Sequence, residues 1–233
     1  MIVSSAYATL LQRIDAAAER AGHAVRLLAV SKTKSAAAIR EVATAGQRAF
    51  GENYVQEALV KQLELPNLQL EWHMIGPLQS NKCRDVAQHF DWLQSLDREK
   101  LIAPLNRFRA ADVPPLNVLI QVNIDDEASK SGCAPDAIGA LAQNIAAAPR
   151  LALRGLMAIP KPTPDLDQRR RAFRRMRALF DELCTTHHGV DTLSMGMSDD
   201  FEPAIEEGAT MVRIGTAVFG ARSRDSEFGI ADP

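Results

Sequence analysis

The stretch RLLAVSKTKSAAAIREVATAGQRAFG, residues 26–51, shows the pattern that decides the fold. A predicted strand over 26–31, with the apolar run LLAV at 27–30, is followed by a helical pattern over 35–45 and by a second predicted strand over 49–51. Strand–helix–strand units of this kind place their two strands parallel and join them by a right-handed crossover. The first predicted strand leads directly into Lys32, so this amine lies at the carboxyl end of that strand. A single lysine there usually extends into solvent, and a nucleophilic amine at a barrel mouth is the alternative.

The same alternation continues through most of the chain and predicts a closed barrel. Eight strands are predicted, each followed by a helix or a helix-sized connection, over 26–31, 49–51, 70–75, 92–96, 116–124, 153–158, 192–195 and 211–214. A (β/α)8 barrel of the TIM type usually needs about 250 residues, close to the length of this chain. An open doubly wound sheet is the alternative, but the glycine-rich first turn of a dinucleotide-binding fold is missing. We therefore predict one domain over 1–233, with an extra N-terminal helix at about 1–22, a barrel at about 26–222 and a short tail.

Composition narrows the classes of function. The chain has 46% hydrophobic and 24% charged residues and a formal net charge of −2, so we expect neither nucleic acid nor a membrane surface as a partner. The three cysteines are widely spaced and form no metal-binding motif. The N-terminal segment resembles an amphipathic helix rather than a targeting signal, with an apolar face made of Tyr7, Leu10, Leu11, Ile14 and Ala18. These features favour a cytoplasmic protein, and a monomer is the expected state.

Polar residues gather at the predicted carboxyl ends of the strands, where the active sites of such barrels lie. The candidates on the first three strands are Lys32, Lys34, Glu52, Asn53 and His73. The later strands supply Asn123 with the loop residue Lys130, then Ser194, Arg213, Gly215 and Thr216. A buried histidine such as His73 is more often a hydrogen-bonded core residue than a catalyst. Asn53 could equally cap the helix that follows it.

The segment VRIGTAVFG, residues 212–220, predicts an anion site. Gly215 allows a close approach to the backbone, and the N–H groups at the following helix start attract phosphate. The neighbouring SMGMSDD, residues 194–200, supplies a second small turn with hydrogen-bond donors. An amine from the first strand and a phosphate cradle across the mouth together fit an aldehyde that carries a phosphate. Arg213 could then face a pyridine nitrogen, as in a pyridoxal phosphate (PLP) site, although a sugar-phosphate aldolase fits nearly as well.

A resemblance to a known family decides between the PLP site and the sugar-phosphate aldolase site. The stretches LLAVSKTK, FGENYVQE, WHMIGPLQSNK, GLMAIP, LSMGMSDD and MVRIGTAVFGAR occur in this order between residues 27 and 222. In these motifs the chain resembles the pyridoxal phosphate homeostasis protein family, which is related to the N-terminal barrel of alanine racemase. The resemblance implies a single-domain PLP-binding barrel of PLP fold type III, with PLP as the cofactor. It also implies a role in intracellular PLP homeostasis, with PLP-dependent apo-enzymes as possible recipients.

The motifs carry the family's site residues to positions of this chain. Lys32 matches the lysine that forms the Schiff base, and Arg213 matches the arginine that faces the pyridine nitrogen. The phosphate contacts match Ser194, Gly215 and Thr216. Asn53 and His73 fall in motifs near the cofactor, and Lys130 in ASKSG matches a loop lysine involved in handling it. Met74 replaces a more usual phenylalanine, and the tail SRDSEFGIADP lacks the lysines of some members.

Two classes of function remain open on the residues alone. A PLP-dependent racemase or decarboxylase is one, and a non-catalytic carrier that binds, buffers and supplies PLP is the other. Racemisation needs acid or base groups on both faces of the cofactor. Lys32 supplies one face, but Tyr7 lies in the first helix and Tyr54 starts the helix after the second strand. The related enzymes also carry a second domain, for which the predicted barrel leaves no room. We therefore predict the carrier and no catalytic residue.

Overall fold

A computed structural model describes residues 2–125 and 131–220 of the chain. The predicted loop residue Lys130 and the tail SRDSEFGIADP lie outside the described residues. The strands and helices below follow one another in strict alternation after the first helix.

Eight parallel strands close into a barrel in chain order, with β1 pairing with both β2 and β8. The predicted (β/α)8 architecture is confirmed. The strands are β1 Arg26–Val30, β2 Ala49–Glu52, β3 Glu71–Met74, β4 Trp92–Leu96, β5 Leu116–Gln121, β6 Leu151–Met157, β7 Thr192–Ser194 and β8 Met211–Ile214.

Helices connect the strands and form the outer layer. They are α1 Ile2–Ala21, α2 Ala36–Thr44, α3 Val55–Glu64, α4 Cys83–His89, α5 Ile102–Phe108, α6 Ile138–Ala146, α7 Leu166–Thr186, α8 Phe201–Glu206 and α9 Thr216–Phe219. Short 3-10 turns precede α4, α5 and α6. Two of the helices start with a side-chain cap, since Ser35 accepts from the Ala38 N–H and Asp165 from the N–H groups of Asp167 and Gln168.

Two strand boundaries differ from the prediction by more than one residue. The strand predicted over 116–124 ends at Gln121. Among the described residues beyond it, only Val122 forms a further bridge, an isolated one with Cys133. Val122 and Ile124 are nevertheless buried, so their apolar character gave no sign of the strand end. The strand predicted over 153–158 begins earlier, at Leu151, which pairs with Leu116 of β5.

Alternate side chains on the strands point into the barrel and form two small apolar clusters there. One contains Leu28, Ala49 and Met211, and the other contains Trp92, Leu119 and Met157. The opposite faces of the strands pack under the helices in the main core, to which Ala29, Phe50 and Leu193 belong. The barrel interior is therefore filled by side chains.

Helix α1 covers part of the outer layer beside α2, α8 and α9. The predicted apolar face is correct for Tyr7, Leu10 and Ile14, but Ala17 is fully buried where Ala18 was expected to be. The Tyr7 hydroxyl donates to Gln47 Oε1 at 3.0 Å, so this tyrosine is tied to the outer layer. Across the described ranges, we find no helix with the length and apolar character that crossing a bilayer requires.

Candidate functional site

The strand ends meet at one end of the barrel, called the barrel mouth here, because all eight strands are parallel. Lys32 follows β1 directly and is partly exposed at this mouth. Within the described part of the chain, its ammonium group has no hydrogen bond or ion pair. The nearby Lys34 differs, since its Nζ donates to the carbonyl of Gly220 at 3.3 Å. Lys32 is thus a free amine at the place where a ligand would enter.

The turn after β8 lies beside the end of β1. Ala29 pairs with Ile214, and a Cβ added to Gly215 would lie 3.1 Å from the carbonyl oxygen of Val30. A larger residue at Gly215 would therefore crowd the strand that leads to Lys32. The N–H groups of Gly215 and Thr216 have no acceptor among the described residues, and Thr216 is exposed. This turn offers backbone and hydroxyl donors next to the free amine, as an anion site requires.

Arg213 lies inside the barrel and is 4% exposed. Its Nη1 donates to the carbonyl and the hydroxyl of Ser194, both at 2.8 Å, and its Nη2 donates to the carbonyl of Ala158 at 2.8 Å. Burial lowers the pKa of Arg213 to about 10, and the negative charge of Asp200 opposes that change. The guanidinium remains charged at neutral pH and is held in a fixed orientation by Ser194 of β7 and by Ala158, the residue that follows β6.

Ser194 and His73 belong to one chain of hydrogen bonds through the barrel interior. The Ser194 hydroxyl donates to Gln94 Oε1 at 2.7 Å, and Gln94 Nε2 donates to His73 Nδ1 at 2.9 Å. His73 Nε2 must then carry the proton, which it donates to Glu71 Oε1 at 2.7 Å. Every donor points from Arg213 toward Glu71, so the chain connects a cation at one end with an anion at the other.

The environment of His73 keeps its ring neutral. Burial lowers the pKa of His73, although the hydrogen bond to Glu71 opposes this effect, and the ring stacks on Trp92 with centroids 5.1 Å apart. Both ring nitrogens already have partners within the protein. His73 thus has the features of the hydrogen-bonded core histidine that the sequence left open, and its role toward a cofactor stays a prediction.

Glu71 leads to a testable pH dependence. Burial would raise the pKa of Glu71, but the hydrogen bond from His73 and the charge of Arg26, 2.6 Å away, outweigh it and lower the pKa to about 2. A depressed carboxyl pKa stabilises the fold above the unfolded value of 4.5, and this contribution is lost as the pH falls toward 2. We expect Glu71→Gln to lower the free energy of unfolding by ~1–2 kcal/mol at neutral pH, after allowance for partial exposure.

The measurement is urea unfolding of the wild type and of Glu71→Gln at about pH 7 and at about pH 3.5. The difference in the free energy of unfolding between the two proteins should be smaller at about pH 3.5. Glu64→Gln changes an exposed glutamate of α3 and serves as the control. A difference that is equal at both pH values would contradict this role of the Glu71 charge.

Asn53 follows β2 at the barrel mouth and is partly buried. It does not cap α3, because the N-cap position is Tyr54 and no side chain makes a cap hydrogen bond there. The loop after β3 packs closely against it, since a Cβ on Gly76 would lie 2.2 Å from the Asn53 carbonyl oxygen. Its side-chain amide has no hydrogen-bond partner in the described ranges. The amide is therefore available to a ligand.

The predicted residues thus divide into two groups. Lys32, Asn53, Gly215 and Thr216 lie at the barrel mouth, whereas His73, Ser194 and Arg213 lie within the barrel and bond to one another through Gln94. The Ser194 hydroxyl already has two partners, so its predicted phosphate contact would require an exchange of hydrogen bonds.

Sequence reasoning missed Gln94 and did not predict that Glu52, Glu57 and Lys61 form a largely buried cluster behind the Lys32 turn. The only sequence signal for that cluster is the four-residue spacing of Glu57 and Lys61, which is also typical of exposed helical ion pairs.

Comparison with known proteins agrees with this architecture. Residues 6–223 match the family model of the alanine racemase N-terminal domain. The pyridoxal phosphate homeostasis protein of Pseudomonas aeruginosa is 58% identical over 218 residues, which cover 92% of this chain and 94% of the relative. Among solved structures, PipY of Synechococcus elongatus PCC7942, determined with PLP bound, is 37% identical with a TM-score of 0.83, covering 94% of this chain and all of PipY.

A more distant likeness concerns the fold alone. Alanine racemase from Corynebacterium glutamicum is 21% identical with a TM-score of 0.63, and the match covers 94% of this chain but 60% of the racemase. The barrel of the alanine racemase type that the resemblance implied is confirmed. The family model and the close relatives together cover nearly the whole described barrel. The chain therefore belongs to the pyridoxal phosphate homeostasis protein family.

Proposed function

We propose that this protein binds PLP at the barrel mouth and holds it in intracellular reserve, with PLP-dependent apo-enzymes as recipients. The observation that carries the proposal is the free amine of Lys32, placed beside a turn whose N–H groups have no acceptor in the described ranges. When bound, PLP supplies an aldehyde that an amine can attack, on a ring that also carries a phosphate and a pyridine nitrogen. Those three features correspond to three groups of residues here.

Lys32 binds the aldehyde carbon covalently, and Gly215 and Thr216 hold the phosphate, with Ser194 as a further contact. Arg213 donates a hydrogen bond to the pyridine nitrogen. Because its guanidinium stays charged at neutral pH, it can only donate to that nitrogen. The nitrogen would then stay unprotonated, which limits how far the ring withdraws electrons. Asn53 and His73 complete the surroundings of the ring. The roles of Lys32, Asn53, Gly215 and Thr216 use groups at the barrel mouth, whereas the roles of His73, Ser194 and Arg213 use groups within the barrel.

We further propose that the protein does not turn over amino acids. Tyr7 is hydrogen-bonded to Gln47 in the outer layer, and Tyr54 is 58% exposed at the start of α3. Cys133 lies in the loop after β5, but burial raises its pKa to about 11, so the thiol is protonated at neutral pH and is a poor base. None of these groups is placed and protonated as a second acid or base opposite Lys32 would have to be. A positioned general acid or base contributes about 10²–10⁴ in rate.

The experiment that tests this function uses the PLP-loaded protein in two assays. Across the common L-amino acids, racemase and decarboxylase turnover should be no greater than with Lys32→Ala, because neither tyrosine nor Cys133 is suited to act as the opposed acid or base. When the loaded protein is mixed with an apo-aminotransferase, activity of the aminotransferase should return as PLP is released.

Lys32-dependent turnover near the ~10 s⁻¹ typical of enzymes would instead place the protein among the PLP-dependent racemases and decarboxylases. Failure to restore any apo-enzyme would argue against supply while leaving binding intact. A single domain over 1–233, a monomeric state and a cytoplasmic location are part of the same proposal. Light scattering of the loaded protein tests the monomer.

A further inference from the structure

Lys61 of α3 is a buried cation to which the proposed PLP site assigns no contact. It is 5% exposed, whereas lysine side chains are seldom buried unless they are paired. Its ammonium group donates to Glu57 Oε1 at 2.6 Å, to Glu52 Oε1 at 2.7 Å and to the carbonyl of Ser31 at 2.8 Å. Buried ion pairs add little net stability compared with apolar packing of the same volume. This Lys61 cluster, made of Lys61, Glu52 and Glu57, therefore calls for a role other than stability.

The Lys61 cluster contacts the chain on both sides of Lys32. Before Lys32, the Ser31 hydroxyl donates to Glu52 Oε1 at 2.5 Å, and the Ser31 carbonyl accepts from Lys61. After Lys32, the N–H of Thr33 donates to Glu57 Oε1 at 2.6 Å. The backbone around Lys32 is thus fixed from β2 and α3, while the amine of Lys32 itself has no partner among the described residues.

The turn that these contacts hold is strained. Thr33 has a φ of 63° and is the one residue other than glycine with a positive φ in the described ranges. For a β-branched side chain this left-handed conformation is a true outlier that persists only when surrounding contacts enforce it. The charge-assisted hydrogen bond from Thr33 to Glu57 is such a contact. Without it, the turn would relax, and the direction of the Lys32 side chain would change.

Resting on the proposed role of Lys32, we propose that the Lys61 cluster is a positioning device that holds the strained turn 31–33 so that the Lys32 amine faces the aldehyde of PLP. In the covalent step the Lys32 nitrogen forms a double bond to the aldehyde carbon, the carbon–oxygen double bond breaks, and the oxygen leaves as water with two hydrogens from that nitrogen. Lys61, Glu52 and Glu57 exchange no proton or electron in this step. They raise the fraction of molecules in which the Lys32 amine faces the aldehyde of PLP.

The test compares PLP with pyridoxine 5′-phosphate, an alcohol that keeps the ring and phosphate but cannot form the carbon–nitrogen bond. We expect Glu57→Ala and Lys61→Met to weaken PLP binding at least about tenfold, because each removes charge-assisted bonds that hold the turn. Binding of pyridoxine 5′-phosphate should stay within about twofold of the wild type, since Gly215, Thr216 and Arg213 are untouched. Glu64→Ala on the same helix and the exposed Lys100→Met are the matched controls.

Lys61→Met leaves Glu52 buried without its counter-charge, and one Glu52 oxygen already has no partner. If that variant does not fold, Glu57→Ala decides alone, because Glu57 is partly exposed. If a folded variant lost affinity equally for both ligands, the cluster would have a general structural role and the proposal would be overturned. A variant that binds both ligands as tightly as the wild type would also overturn it. Failure of the proposed function is distinguishable, because it would appear in the wild type as reductive labelling away from Lys32.

Discussion

Pyridoxal, which lacks the phosphate, is expected to bind this protein at least roughly 100-fold more weakly than PLP. The turn after β8 presents the N–H groups of Gly215 and Thr216 and the Thr216 hydroxyl, and none of the N–H groups has an acceptor in the described chain. Hydrogen bonds to a charged acceptor contribute ~1.5–3 kcal/mol each, so losing two or more of them exceeds a factor of 100. Equilibrium titration of the two aldehydes, followed by absorbance, measures the ratio.

Thr216→Val provides the matched variant for this prediction, because it removes the hydroxyl and keeps the shape of the side chain. It should weaken PLP binding and leave pyridoxal binding nearly unchanged. Equal affinity of the wild type for the two aldehydes would contradict a phosphate site at Gly215 and Thr216.

Lys32→Ala is expected to abolish covalent capture of PLP. Lys34 near the barrel mouth donates a hydrogen bond to the carbonyl of Gly220, and Lys61 is buried with three acceptors. Lys32, in contrast, has no hydrogen-bond partner in the described ranges. An amine that must first leave its own acceptors is a weaker nucleophile toward an aldehyde. The yellow absorbance of wild-type protein loaded with PLP should be missing from Lys32→Ala after gel filtration.

Lys34→Ala is the control for that experiment, since it removes a neighbouring amine and leaves Lys32 in place. It should retain the absorbance of the wild type. Loss of colour in Lys34→Ala together with retention in Lys32→Ala would reverse the assignment of the two lysines.

The architecture could be predicted from sequence because each strand is a short apolar run between polar turns. Parallel topology then places every strand end at one mouth, so Lys32 and Gly215 could be brought together without any structure. The residues at which the strands end are harder to predict from sequence. Val122 and Ile124 are buried outside the sheet, and burial alone does not distinguish them from strand residues.

The inner part of the site could not be predicted in the same way. Gln94 lies in a strand whose pattern gives no hint that it joins His73 to Ser194. Lys61 follows Glu57 by four residues, a spacing that is common on solvated helix faces, so its burial against β2 depended on tertiary packing. The positive φ of Thr33 is likewise invisible in sequence, because threonine rarely adopts it.

The most direct test of the central claim is to locate the bond between PLP and the protein. Borohydride reduction of the PLP-loaded wild type converts the carbon–nitrogen link into a stable amine, and peptide mapping by mass spectrometry then identifies the labelled residue. We expect the pyridoxyl group on Lys32, in the peptide that contains AVSK. A label found chiefly on Lys34 or Lys130 would contradict it.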